Sequence, residues 1–207
     1  MAAPFYPAGT VVALLESASV TAPTRWALQA RLAQPETVTP RFFDLPSFTA
    51  LGAICARLIP SIQGTGCLDI AGAIDQALAD GTGNGWRYDV MPPDALAYQQ
   101  GLQGIDQSAR ALFGAPFCQL ELAQQDSVLR AVQAGTAPGS AWQAMPSARF
   151  FEELLTAAVQ ACYAHPLVQE SIGYAGMADA PGWHAIGLNQ LEAREPRPIE
   201  AREPRPI

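Results

Sequence analysis

Apolar positions recur along this chain at the three-and-four spacing that gathers them on one side of a helix. No segment of strand length alternates apolar and polar residues with β-branched enrichment. The pattern predicts an all-α fold, an irregular helical bundle with extended N- and C-terminal segments. A first helix is expected from about Thr10 to Ser17 and a second from Thr24 to Leu32, with Pro23 suited to a first turn. The proline-marked link Gln34 to Pro40 separates them from the main body. There Asp44 offers an N-cap carboxylate ahead of Leu45-Pro46, and Leu51, Ile54, Cys55, Leu58 and Ile59 form one stripe that Pro60 ends. A short helix follows from about Leu68 to Ala79, closed by Asp80-Gly81, and the Gly/Asn run through Gly85 reads as a loop.

A longer helix is expected from Pro93 to Leu112, stopped by Gly114, with Leu96, Leu102, Ile105, Ala109 and Leu112 facing inward. Gly101 and Gly104 inside it each cost about 1 kcal/mol against alanine, which points to close packing there. Glu121 to Ala134 reads as the next helix, with Leu122, Val128, Leu129 and Val132 as core and Gly135 as its C-cap. Ser147 to Ala164 has the broadest apolar face, made of Phe150, Phe151, Leu154, Leu155, Ala158, Val159 and Cys162, and Pro166 stops it. From Ser171 the chain is rich in Gly, Ala and Pro and reads as an ordered irregular segment with aromatic anchors Tyr174 and Trp183. The octapeptide Glu-Ala-Arg-Glu-Pro-Arg-Pro-Ile then occurs at 192–199 and again at 200–207. Paired prolines keep such a repeat extended, and a disordered tail is expected. The boundaries read as 1–40 for an N-terminal helical extension, 41–191 for the helical domain and 192–207 for the tail.

Composition narrows the function. Apolar residues make up 49% of the 207 residues and charged residues 15%, enough to bury a core and few enough to suggest that a partner covers part of the exterior. The net charge of −7 leaves no basic footprint for nucleic acid. All 12 basic residues are Arg, so a Walker lysine, a Schiff-base lysine and a pyridoxal phosphate site are excluded together. Arg25, Arg31, Arg57 and Arg110 read as solvated faces or ion pairs. No apolar run reaches 18 residues, so no membrane span is expected. Met1 to Leu15 lacks a basic n-region, a twin arginine and a small-residue cleavage site. The compartment stays open between the cytoplasm and, through a trimmed signal or export with a partner, the periplasm.

The sequence presents no recognisable catalytic or metal-binding motif. His165 and His184 have no second ligand at metal spacing. His165, before Pro166, reads as a helix-end residue whose protonated ring complements the dipole. Gly64-Thr65-Gly66 and Gly81-Thr82-Gly83-Asn84-Gly85 follow no strand and lack the third dinucleotide-binding glycine. Ser140 belongs to no G-x-S-x-G. Glu152 and Glu153 are adjacent on a helix and diverge by about 100°, so they do not form a catalytic pair. Cys55, Cys118 and Cys162 read as buried free thiols in apolar helical patterns, while Cys67 sits in a glycine loop with either a free thiol or an intersubunit bridge open to it.

The order of several stretches resembles the gluconate 2-dehydrogenase subunit 3 family. They are Arg41-Phe42-Phe43 leading to Leu51-Gly52-Ala53-Ile54-Cys55-Ala56-Arg57-Leu58-Ile59-Pro60; Tyr98-Gln99-Gln100-Gly101-Leu102-Gln103-Gly104-Ile105-Asp106; and Phe113-Gly114-Ala115-Pro116-Phe117 with Gln124-Gln125-Asp126-Ser127-Val128-Leu129. Phe150-Phe151-Glu152-Glu153-Leu154 and Tyr163-Ala164-His165-Pro166 follow, then Gly173-Tyr174, Gly176 and Gly182-Trp183. The series spans about residues 41 to 187. Many members carry a twin-arginine export signal that is absent here.

The resemblance implies a non-catalytic small subunit that stabilises or escorts a large flavoprotein dehydrogenase of the glucose-methanol-choline type. FAD would be held in that partner and no cofactor in this chain. The substrate would be a sugar or related alcohol, and a cytochrome c subunit would accept electrons in many such complexes. Tyr174, Met177, Trp183, His184 and Ile186 are the candidate partner interface, because these residue types anchor interfaces and the Gly/Pro content bars a helix. A competing reading is an independent helical enzyme or small-ligand binder with its site near Tyr174, Trp183 and His184. A stand-alone structural domain is a third.

Overall fold

The chain is seen in a computed structural model that describes residues 9–33, 37, 39–59, 68–83, 88–174, 179, 182–188, 190 and 192. Eight α-helices occur among them: α1 (Thr10–Glu16), α2 (Ala22–Leu32), α3 (Leu45–Leu58), α4 (Ile70–Asp80), α5 (Asp94–Phe113), α6 (Leu122–Gln133), α7 (Ser147–Tyr163) and α8 (Pro166–Ser171). Two 3-10 turns, Phe117–Gln119 and Ser140–Gln143, complete the regular structure, and no strand occurs among the described residues. The all-α expectation holds. The residues fall into two compact units, one drawn from Met1–Pro35, Ile62–Leu68 and Cys162–Ile207, the other from Glu36–Ser61 and Asp69–Ala161.

In the second of these units the helix ends follow local chemistry. Asp44 caps α3 by accepting the Ser47 N–H at 2.9 Å, as its place before Leu45-Pro46 anticipates. Asp69 caps α4 through the Gly72 N–H at 2.8 Å and also accepts the Thr37 N–H at 2.7 Å. Glu121 and Gln124 form a reciprocal capping box at the start of α6. Gly81 and Gly114 end α4 and α5 in the left-handed conformation, at φ 64° and 77°. The core that these helices enclose includes Leu51 and Ile54 of α3, Ile105 of α5, Val128 and Val132 of α6, and Phe150 and Leu154 of α7.

The two mid-helix glycines of α5 have a steric reason. A Cβ on Gly101 would fall within 3.0 Å of three ring atoms of Phe150, and one on Gly104 would lie 2.5 Å from the Trp142 ring. What approaches the α5 backbone is therefore a pair of aromatic rings. Phe150 in turn meets Tyr98 edge-on, with centroids 5.7 Å apart, and Trp142 at 6.0 Å. Trp142 Nε1–H donates to Ser108 Oγ at 3.0 Å, and that hydroxyl has the carbonyls of Pro138 and Gly104 at 2.6 and 2.7 Å.

Several core expectations need correction. Leu96 is exposed because it lies nine residues, half a rotation, from Ile105 on α5. Leu112 occupies the last turn of α5 and Leu122 the first position of α6, and both are exposed. Val159 sits at the edge of the α7 stripe, whose buried line runs Phe150, Leu154, Ala158, Cys162. Cys118 is exposed, because it lies in a 3-10 turn and has no apolar helix face to share. Cys55 and Cys162 are buried free thiols, and Cys67 lies outside the described residues.

The other unit contains α1, α2 and α8, which pack on one another around Val11, Leu15, Val20 and Leu28. The helix α8 is absent from the periodicity reading. Pro166 ends α7's apolar run, yet it also occupies the first turn of a new helix, a position where its fixed φ and missing N–H cost nothing.

Candidate functional site

The segment singled out as a partner interface belongs to the unit of α1, α2 and α8. Tyr174 follows the end of α8, where Gly173 takes φ 81° and the Tyr174 N–H donates to the Gln169 carbonyl at 2.8 Å. Beyond it, Gly182 at φ 74° donates its N–H to the Asp179 carbonyl at 2.7 Å. One oxygen of Glu192 accepts the adjacent backbone N–H groups of His184 and of Ala185, the latter at 2.7 Å. These bonds hold the backbone N–H groups of Gly182, His184 and Ala185. Trp183 is 38% exposed, Tyr174 49%, Ile186 85% and Leu188 93%. His184 is exposed, and Met177 lies outside the described residues.

The backbone of this unit is held by Glu170 and Asp179, which no sequence pattern singled out, and by Arg25, which binds backbone carbonyls where a solvated face or an ion pair was expected. Glu170 reaches the first turn of α1, accepting the Gly9 N–H at 2.9 Å and the Val11 N–H at 2.7 Å. Asp179 does the same for α2, accepting the Thr21 N–H and hydroxyl and, at 2.6 Å, the Thr24 hydroxyl. Both carboxylates suit the positive end of a helix. Arg25 serves the opposite pole, binding the Leu15, Ser17 and Val20 carbonyls at 2.6, 2.7 and 2.9 Å where α1 ends. A detectable signal was the absence of any Asp, Asn or Ser before α1, which left its N-terminal donors in need of a distant acceptor.

The remaining charges sort by local geometry. Arg57 of α3 grips Asp126 of α6 through Nε and a terminal nitrogen at 2.8 and 2.9 Å, a bidentate pair. Hydrogen bonding to Arg57 holds the Asp126 carboxyl below its ordinary range. Arg110 pairs with Asp106 one turn away at 2.8 Å, while Arg31 reaches the Ala164 carbonyl at 3.4 Å. The buried Asp75 accepts three successive N–H groups, those of Arg41, Phe42 and Phe43, at 2.7 to 3.1 Å. That carboxylate fixes the turn into α3.

His165 corrects its expectation. It lies two residues past the end of α7, as expected, but also at the N-cap of α8, next to the positive end of a second helix, and its Nδ1 is buried with no hydrogen-bond partner among the described residues. Burial pushes its pKa down, which favours the neutral ring over the imidazolium that a C-terminal position would reward.

A pocket of about 380 Å³ opens between α4, the start of α5 and α7, all within the unit that contains them. Its lining includes alanines of α4, α5 and α7, the larger Ile74, Leu78 and Met91, and the rings of Tyr98 and Phe150, and its carboxylates are Asp94 and Glu153. Burial raises the Glu153 carboxyl above its ordinary range, and the charges of Asp94 and Glu152 add to the shift. Glu152 itself points away and pairs with Arg149 at 2.7 Å, so the adjacent glutamates do diverge. The pocket lining includes none of Tyr174, Trp183 and His184.

No group of three or more His, Cys, Asp or Glu side chains able to hold a metal occurs among the described residues. No described helix is long and apolar enough to cross a membrane. Neither a curated protein nor a solved structure matches the chain significantly. A family model described as gluconate 2-dehydrogenase subunit 3 matches residues 47–182.

Proposed function

The chain belongs to the gluconate 2-dehydrogenase subunit 3 family, and from that premise we propose that it is a non-catalytic small subunit. It binds and stabilises, or escorts, a large FAD-dependent dehydrogenase of the glucose-methanol-choline type that oxidises a sugar or related alcohol. The flavin and the reacting atoms belong to the partner, and electrons leave it for a cytochrome c subunit. This chain contributes surface. A subunit that binds only the folded form of its partner shifts the partner's folding equilibrium by mass action, which is sufficient for the role and needs no catalytic side chain.

The observation that carries this reading is the 182–188 segment, where backbone groups are held by Asp179 and Glu192 while Ile186 and Leu188 are almost wholly exposed and Trp183 partly so. Fixing a loop in advance reduces the ordering entropy lost on association. Large apolar side chains on a fixed backbone are the usual centre of an interface.

The test is co-expression of the chain with a glucose-methanol-choline-type flavoprotein dehydrogenase from the same genome, followed by size-exclusion chromatography with absorbance read at protein and flavin wavelengths. The two proteins should elute together with dehydrogenase activity, and the small chain purified alone should be colourless. Separate elution with undiminished activity of the flavoprotein would overturn the proposal.

A further inference from the structure

The pocket between α4, the start of α5 and α7 has a composition that selects a ligand. Its volume of about 380 Å³ falls within the roughly 300 to 1,000 Å³ of small-molecule sites. Ala73, Ile74, Ala77 and Leu78 of α4 and Ala157 and Ala161 of α7 line it together with Met91, so a ligand meets largely apolar walls. Its two charged side chains, Asp94 and Glu153, are both acidic, and no basic side chain occurs among the described residues that line it.

No described basic group pairs with these carboxylates. Glu152, the neighbour of Glu153, occupies Arg149. Asp94 lies in the first turn of α5. Glu153 therefore loses water against the pocket wall while facing a fixed like charge, and its raised carboxyl pKa is the expected result. An apolar neutral ligand would leave that repulsion in place, and an anionic one would add to it.

We propose that this pocket binds a small amphipathic organic cation, with its ammonium or guanidinium between Asp94 and Glu153 and its short apolar body against the apolar walls. The cation screens the two carboxylates from each other and forms charge-assisted hydrogen bonds to them. The apolar body displaces water from surface that offers it few partners. The site is separate from the partner-binding role, and its test needs no partner.

The test uses the full chain with three probes of equal length: hexylammonium, hexanol and hexanoate. Titration calorimetry and thermal melting should show saturable binding of hexylammonium, weaker binding of hexanol and none of hexanoate. Glu153→Gln should weaken hexylammonium about tenfold, the loss expected for one charge-assisted contact, while leaving hexanol unchanged. Ala157→Leu should block both by filling the pocket; Ala77→Leu fills it from the opposite wall and serves the same purpose if the first variant does not fold. Hexanol binding as tightly as hexylammonium, hexylammonium binding that survives a filled pocket, or no binding of hexylammonium at all would each overturn the proposal.

Discussion

The ring of Phe150 occupies the space that a side chain at position 101 would need, so a helix on one side and a phenylalanine on the other share a single volume. Phe150 is fully buried, with the rings of Tyr98 and Trp142 packed against it. Gly101→Ala gains about 1 kcal/mol of helix propensity but forces overpacking that costs about 1 to 3 kcal/mol. The variant should melt below the wild type. A higher melting temperature would mean that the ring can retreat.

Truncation on the other helix should cost more. Phe150 is fully buried and Phe151 is 6% exposed, so both expected core positions of α7 are occupied at once. Phe150→Ala and Phe151→Ala should each lose about 3 to 5 kcal/mol in denaturant unfolding. A loss under about 1 kcal/mol for either would show that the site collapses around the gap.

The Arg57–Asp126 pair makes stability depend on pH in a definite direction. The folded-state carboxyl of Asp126 lies below 3.8, chiefly through its hydrogen bonds from Arg57. A depressed acid contributes stability that is fully present above its unfolded value and lost as pH falls through the folded one. Asp126→Asn should therefore be less stable than the wild type at pH 7, and the difference should shrink below pH 3.8. A gap of constant size from neutral to acid pH would count against the pair.

The thiols should divide by accessibility. Burial, with a further contribution from the charge of Asp69, pushes Cys55 up to about 12, so it is scarcely ionised in neutral buffer. In a Cys67→Ser background, a thiol reagent at neutral pH should modify the exposed Cys118 first. Cys55 and Cys162 should react only on unfolding. Equal native-state rates at Cys55 and Cys118 would contradict the packing around α3.

For the proposed interface, Trp183→Ala should weaken capture of the large subunit by about 2 kcal/mol or more, the cost of a hot-spot residue. A companion variant should end after Glu192, because that carboxylate holds the His184 and Ala185 N–H groups and a shorter chain would release the loop. Undiminished co-purification with Trp183→Ala would move the interface to the exposed Leu112, Phe113 and Leu122.

Legibility of the fold followed the range of the interactions that create it. The Asp44 cap, the Gly81 and Gly114 stops and the α7 stripe depend on neighbours within a few residues, so they could be read from the sequence. Gly101 and Gly104 showed that something approaches α5 closely, but only the fold identifies Phe150 and Trp142 as what does. Helical period places Leu96, Leu112 and Leu122 near an apolar face but cannot say where the neighbouring helix stops. The 182–188 residue types pointed to an interface, while the bonds that fix its backbone came from Asp179 and Glu192, whose roles no local pattern declares. The pocket depends on Asp94 and Glu153, brought together from two helices far apart in sequence, and was not legible at all.

The capping of α1 and α2 has a consequence for the order of events during synthesis. These helices have 7 and 11 residues, below the roughly 12 to 15 at which an isolated helix becomes even marginally stable in water. Their N-terminal donors are met by Glu170 and Asp179, which lie 161 and 158 residues further along. The segment translated first thus waits for one translated much later. A nascent chain halted before Glu170 leaves α1 and α2 without those acceptors and their apolar faces open to chaperones and proteases. Only a chain whose translation has reached past Asp179 supplies both acceptors to α1 and α2.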